Sequence, residues 1–143
     1  MHPDFRAIFT SNPTEYAGVH RAADALQDRM ITVRLGYYDR QTEIAITVAK
    51  SGIDRRSAAK IVDIVRGLRD YHEDNKANHD ICPTVRSSIM IATVLKTYGA
   101  RPKPDDDGFV ALCHDVLNSS RWDEQAARGL TAKVDALIRK HAA

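Results

Sequence analysis

Residues 84–99, Thr-Val-Arg-Ser-Ser-Ile-Met-Ile-Ala-Thr-Val-Leu-Lys-Thr-Tyr-Gly, constrain the fold more than any other stretch of this chain. Thr84 follows Pro83 and offers an N-cap oxygen, and Gly99 can take the left-handed conformation that stops a helix. Between them Val85, Ile89, Met90, Ile91, Ala92, Val94, Leu95 and Tyr98 leave little polar face, so this helix is expected to be central and buried. Arg86 falls in its first turn, where the helix dipole disfavours a cation by about 0.3 to 1 kcal/mol. A free helix N-terminus beside an arginine suits phosphate. The alternative is a side chain that swings into solvent or pairs with a nearby aspartate.

Other helical stripes surround this segment. Asp39 can cap a helix running to about Lys50, with Ile44, Ala45 and Val48 turned inward. Ser51-Gly52-Ile53-Asp54 then supplies a glycine stop and the next N-cap, a tight corner between helices. Over residues 55–73, Ala58, Ile61, Val62, Val65, Leu68 and Tyr71 keep helical spacing, while Arg56, Lys60, Asp63, Arg66, Arg69 and Asp70 are read as a solvated face of mixed sign. Residues 74–81 read as a loop, and Arg101-Pro102-Lys103-Pro104 with Asp105 to Asp107 as a stiff connector ending in N-cap material. Phe109, Leu112, Cys113, Val116 and Leu117 recur at i, i+3, i+4, i+7 and i+8. The last stripe, in residues 123–141, holds Ala127, Leu130, Val134, Leu137 and Ile138, with Gly129 as a candidate break.

The N-terminal part reads differently. Residues 5–11 form a β-prone run ending in Asn12-Pro13, residues 22–29 a short helical turn, and Ile31, Val33 and Leu35 alternate with Thr32 and Arg34 as a second strand. Two strands and one short helix cannot make a covered parallel sheet, so this part looks like the end of something larger. Phe5, Ile8, Phe9, Ile31 and Val33 are expected to be left exposed. Asn12 would project from a strand tip, where open α/β sheets place ligands, or simply close a turn. Arg29 closes the short helix, where a cation also favours the helix dipole.

Composition excludes several functions. With 21 Lys and Arg against 19 Asp and Glu, interspersed, the charge pattern predicts neither nucleic acid nor an anionic membrane as partner. No apolar run approaches a membrane span, and a signal layout is absent from the first residues. Cys82 and Cys113 belong to no CxxC pair, which fits a reducing setting. The spacing of His72, His79 and Cys82 matches no zinc template, so no metal site is expected. Cys113 and His114 are neighbours on a helix, about 100° apart, and do not form a thiolate–imidazole pair.

The order of these features is more informative than any one of them. A strand-tip Asn12, Asp28-Arg29 at a helix end, a strand, and then a helical part with Arg86 at the start of its main helix follow one another. The same chain contains Phe-Thr-Ser-Asn-Pro-Thr-Glu-Tyr-Ala-Gly-Val-His at 9–20 and Ala-Leu-Gln-Asp-Arg at 25–29. Asp-Arg-Gln-Thr-Glu at 39–43 and Pro-Thr-Val-Arg at 83–86 complete the set. On these residues the chain resembles the gas vesicle protein N family of MoxR-like AAA+ ATPases, from about His2 to at least Tyr98.

The resemblance implies a mainly α fold. Residues 1–37 would be the C-terminal strand–helix–strand remnant of an AAA+ α/β nucleotide core, and residues 38–143 an all-α helical lid. It also implies roles. Asn12 matches sensor 1, which orients the attacking water. Arg29 matches the arginine finger delivered to the neighbouring subunit of a homo-oligomeric ring, with Asp28 supporting it, and Arg86 matches sensor 2, the lid residue that touches nucleotide. ATP and Mg are the cofactors of the full-length family, and gas vesicle shell or accessory proteins its implied partners, in a cytoplasmic location associated with gas vesicles.

The implied function is ATP hydrolysis in support of gas vesicle assembly. The phosphate loop Gly-x-x-x-x-Gly-Lys-Ser/Thr and an acidic Walker B strand do not occur in the 143 residues. The chain is therefore expected not to hold ATP and Mg tightly, and to be inactive alone. Met1 stands where a full-length relative would be mid-domain, which implies a truncated gene, a fragment or an internal start. The alternative function is a non-catalytic helical module that binds a gas vesicle protein or an intact ATPase ring.

Overall fold

The computed structural model of the chain describes residues 2, 4–10, 29–74, 82–118 and 124–143, the side chains of 124–128 excepted. They divide into two units, Met1–Gly36 and Tyr37–Ala143. The second contains five helices: α1 (Arg40–Ser51), α2 (Arg55–Asp74), α3 (Val85–Tyr98), α4 (Asp107–Leu117) and α5 (Glu124–His141).

Local chemistry explains where each helix begins and stops. Asp39 Oδ1 accepts from the amides of Gln41 and Thr42 at 2.9 and 3.0 Å, while Oδ2 accepts from the Thr42 hydroxyl. Asp54 Oδ1 accepts from Ser57 N at 3.0 Å, and Asp106 Oδ1 from Phe109 N at 2.9 Å. Gly52 and Gly99 end α1 and α3 at φ 70° and 65°, a region that costs a side-chain-bearing residue about 1 to 2 kcal/mol. Lys60 Nζ donates to the Ala142 and Ala143 oxygens at 2.8 and 2.9 Å, tying the residues after α5 to α2.

Two helices share the centre: α2 packs against α1, α3 and α5, and α3 packs against α1, α2 and α4. Ala58, Ile61, Val62, Ile64, Val65 and Leu68 of α2 are fully buried, and they meet Ile44, Ile91, Leu95, Phe109, Cys113, Val134 and Ile138 in one core. The 84–99 helix therefore packs against as many helices as α2 does, but the near-complete burial expected of it is corrected. Only Ser88, Ile91, Ala92 and Leu95 of α3 are buried, a stripe at i, i+3, i+4 and i+7, while Met90 and Tyr98 are 55% and 81% exposed. Total apolar content does not decide burial; which positions of a helix face its neighbours does.

Three further expectations are corrected. Ala45 is exposed, and α1 instead buries Glu43, Ile44 and Thr47, with Val48 partly covered. Arg69, expected on a solvated face, is 3% exposed. Its position four residues after Val65 and seven after Val62 puts it on the buried stripe. Gly129 does not break α5, which runs through it.

In the first unit, residues 5–10 and 31–35 show no strand among the described residues. A β-prone run becomes a strand only when a neighbour pairs with its amides and carbonyls. Phe5, Ile8, Phe9, Ile31 and Val33 are exposed, as expected where too few elements are present to cover them. The short helix expected at 22–29 lies outside the described residues apart from Arg29. Among the described residues no helix is long and apolar enough to cross a membrane.

Three outcomes follow from these contacts. A Cβ built on Gly129 meets nothing within 4 Å, so Gly129→Ala should raise stability in urea by about 1 kcal/mol, whereas Gly99→Ala should lower it by about 1 to 2 kcal/mol. Thr42 and Ser57 hold the Asp39 and Asp54 carboxyls below the usual carboxylate range, chiefly through their side chains. Because the folded values are depressed, this stabilisation is complete above the unfolded range and is lost as pH falls toward the folded values. Asp39→Asn with Asp54→Asn should therefore make the acid limb of the stability curve shallower. Burial pushes the Cys113 thiol up to about 12, so iodoacetamide should label the half-buried Cys82 in the folded protein and leave Cys113 unmodified until denaturant is added.

Candidate functional site

The start of α3 is where the structure holds a sequence-predicted residue in defined surroundings. The Thr84 hydroxyl accepts from Arg86 N at 3.3 Å and the Thr84 carbonyl from Ser87 N at 3.0 Å, which sets the first turn. The Arg86 side chain is exposed and the turn contains no acidic residue. A guanidinium beside a capped helix N-terminus presents positive charge and N–H donors together, an arrangement complementary to an anionic ligand.

Behind that turn lies a buried ionic cluster. Glu43 of α1 is 1% exposed and Arg69 of α2 is 3% exposed. Arg69 Nη1 donates to Glu43 Oε1 at 2.9 Å, and its Nε donates to the Pro83 carbonyl at 3.0 Å. The guanidinium also stacks over the Tyr37 ring, 3.9 Å from its centroid. Arg66 Nη1 reaches Glu43 Oε2 at 3.4 Å and the Tyr38 carbonyl at 3.0 Å. The Tyr37 phenol is raised above its ordinary value by burial first, then by Cys82, with Arg69 acting in the opposite direction. Removing one partner of such a buried pair costs about 3 to 5 kcal/mol, because the other charge is stranded.

Sequence reasoning singled out Arg86 as a candidate and passed over Arg69 and Glu43, which pair beside the start of its helix. Arg69 was legible from the stripe Ala58, Val62, Val65, Arg69, at i, i+4, i+7 and i+11. Glu43 was less so, since a first-turn acid is ordinarily explained by the helix dipole alone.

The other predicted residues stand apart from this cluster. Arg29 is exposed and belongs to the Met1–Gly36 unit, while Arg86 belongs to Tyr37–Ala143. Asn12 and Asp28 lie outside the described residues, as does His79. An open groove of about 380 Å³ runs over α2 and α5 beside Gly67, lined by Asp63, Asp70, Lys133 and Lys140 among others. Its mixed charges match no single ligand class, and Arg86 is not part of its lining.

Comparison with known proteins places these residues in a family. No family model and no solved structure matches the chain. The gas vesicle ATPase GvpN of Ancylobacter aquaticus is 45% identical over 133 residues, which is 91% of this chain and 35% of the relative. Gas vesicle ATPase GvpN1 of Halobacterium salinarum is 37% identical over 141 residues, covering 96% of this chain and 37% of the relative. The GvpN of Haloferax mediterranei is 37% identical over 140 residues, 97% of this chain and 38% of its own length. Nearly all of this chain therefore aligns, at identities far above chance, with little more than a third of each relative, and the chain belongs to the gas vesicle ATPase GvpN family.

Proposed function

We propose that the chain is the C-terminal part of an AAA+ ATPase that binds and hydrolyses ATP to support gas vesicle assembly. The observation that carries this reading is the alignment of 91% of the chain with a gas vesicle ATPase at 45% identity. On this reading Tyr37–Ala143 is the helical lid, and the β-prone runs of the first unit become strands when paired within a complete nucleotide core.

The residue roles follow from that placement. Arg86, exposed at the start of α3, is the sensor-2 contact to nucleotide phosphate. Arg29 is the arginine finger offered to a neighbouring subunit in a ring, with Asp28 supporting it, and Asn12 orients the attacking water. The chain's own residues thus supply charge stabilisation and orientation. ATP and Mg are held by a phosphate loop and a Walker B acid, neither of which occurs in these residues. Alone, the chain is inactive. The assembly works in the cytoplasm with gas vesicle shell or accessory proteins.

ATP turnover tests this directly. The purified chain should hydrolyse no more ATP than the same chain carrying Arg29→Ala and Arg86→Ala. Joined behind the phosphate-loop region of the Ancylobacter aquaticus relative, it should restore Mg-dependent turnover. In that joined protein Arg29→Ala should lower kcat by about 10³-fold or more, and Arg86→Ala should raise KM for ATP as well as lower kcat. Turnover unaffected by both substitutions would overturn the assignment. Altered turnover of the intact relative on simple addition of the chain, abolished by Arg29→Ala, would favour the non-catalytic module instead.

A further inference from the structure

We propose that Glu43 and Arg69 form a positioning clamp that fixes the start of α3, and with it Arg86, to Tyr37, the first residue of the helical unit. That the clamp serves nucleotide contact rests on the Arg86 role proposed above; the clamp itself does not.

Arg69 makes three different contacts with one planar group. Its Nε takes the Pro83 carbonyl, its Nη1 takes Glu43, and its face lies on the Tyr37 ring. A lysine ammonium could reach both oxygens but has no flat face to lie on the ring. Pro83 precedes the cap residue Thr84, so its carbonyl is outside the helical ladder and open to a side-chain donor. Arg66 extends the same cluster from Glu43 to the Tyr38 carbonyl. Tyr37 and Tyr38 are thus tied through α1 and α2 to the residue that begins the Pro-Thr-Val-Arg segment.

The cluster is poorly explained by packing. Arg69 Nη2 is buried without a hydrogen-bond partner among the described residues, a cost that an apolar side chain of similar volume would avoid. Buried ion pairs can often be replaced by well-packed apolar residues with no loss of stability. What such a replacement cannot supply is the N–H donor to Pro83. A displacement of Tyr37 is therefore passed to the α3 start through one rigid side chain, and the orientation of Arg86 depends on it.

Amide exchange followed by NMR on the whole chain tests the clamp. In Glu43→Leu with Arg69→Met the melting temperature should stay close to that of the unmodified chain. The Ser87 and Ser88 amides should nevertheless exchange at least tenfold faster relative to those of Val134 and Ile138 in α5, and the Tyr37 ring signals should shift. Unchanged protection at Ser87 and Ser88, or loss spread evenly to α5, would overturn the proposal. If the double variant does not fold, Glu43→Gln with Arg69→Met decides, since it strands no buried charge and leaves the Pro83 carbonyl without its donor. Local loss at Ser87 and Ser88 supports the clamp there, and unchanged local exchange overturns it. No nucleotide enters this measurement, so its failure is distinct from a failure of the joined protein to turn over ATP.

Discussion

The Glu43–Arg69 pair is the interaction on which the helical unit depends. A carboxylate and a guanidinium, both almost completely withdrawn from water, are tolerable only because each is hydrogen-bonded and paired. Satisfying them requires α1 and α2 to cross at one register, and the remaining Nε–H of Arg69 selects the Pro83 carbonyl as its acceptor. The apolar core supplies most of the driving force for burial but little directional information. The ionic cluster adds direction, and it does so next to Arg86.

A second, weaker set of polar contacts sits at the far end of the unit. His114 Nε2 lies 2.8 Å from Asp135 Oδ1, and Asn118 Nδ2 lies 3.0 Å from His114 Nδ1 and 3.3 Å from the Thr131 hydroxyl, joining α4 to α5. On the flank, Arg40 and Asp63 form a two-bond pair at 2.6 and 2.7 Å between α1 and α2. Both groups are partly exposed, so solvent screens much of that attraction. The polar contacts therefore grade from a buried, directional cluster at the α3 start to screened pairs at the periphery. Geometry is held most firmly where the proposed nucleotide contact lies.

These contacts belong to a chain of the gas vesicle ATPase GvpN family. The chain spans a little over a third of the length of the relatives it matches. The α3 start and Tyr37 are linked through the Arg69 side chain rather than through a backbone ladder.

Helix boundaries in this chain were legible because they are local. Asp39, Asp54, Thr84 and Asp106 cap with side-chain oxygens two or three residues away, and Gly52 and Gly99 stop helices through their own φ angles. The candidate Arg86 was legible for the same reason, since its place in a capped first turn depends on its immediate neighbours. The order of helices in the core was not. Residues 84–99 are the more apolar helix, yet α2 buries the longer stripe, because which positions of a helix meet its neighbours is a property of the assembled fold. Likewise the burial of Glu43 and Arg69, separated by 26 residues, was decided only by tertiary structure: each is costly to bury alone and acceptable only once the other, with Pro83 and Tyr37, has been brought beside it.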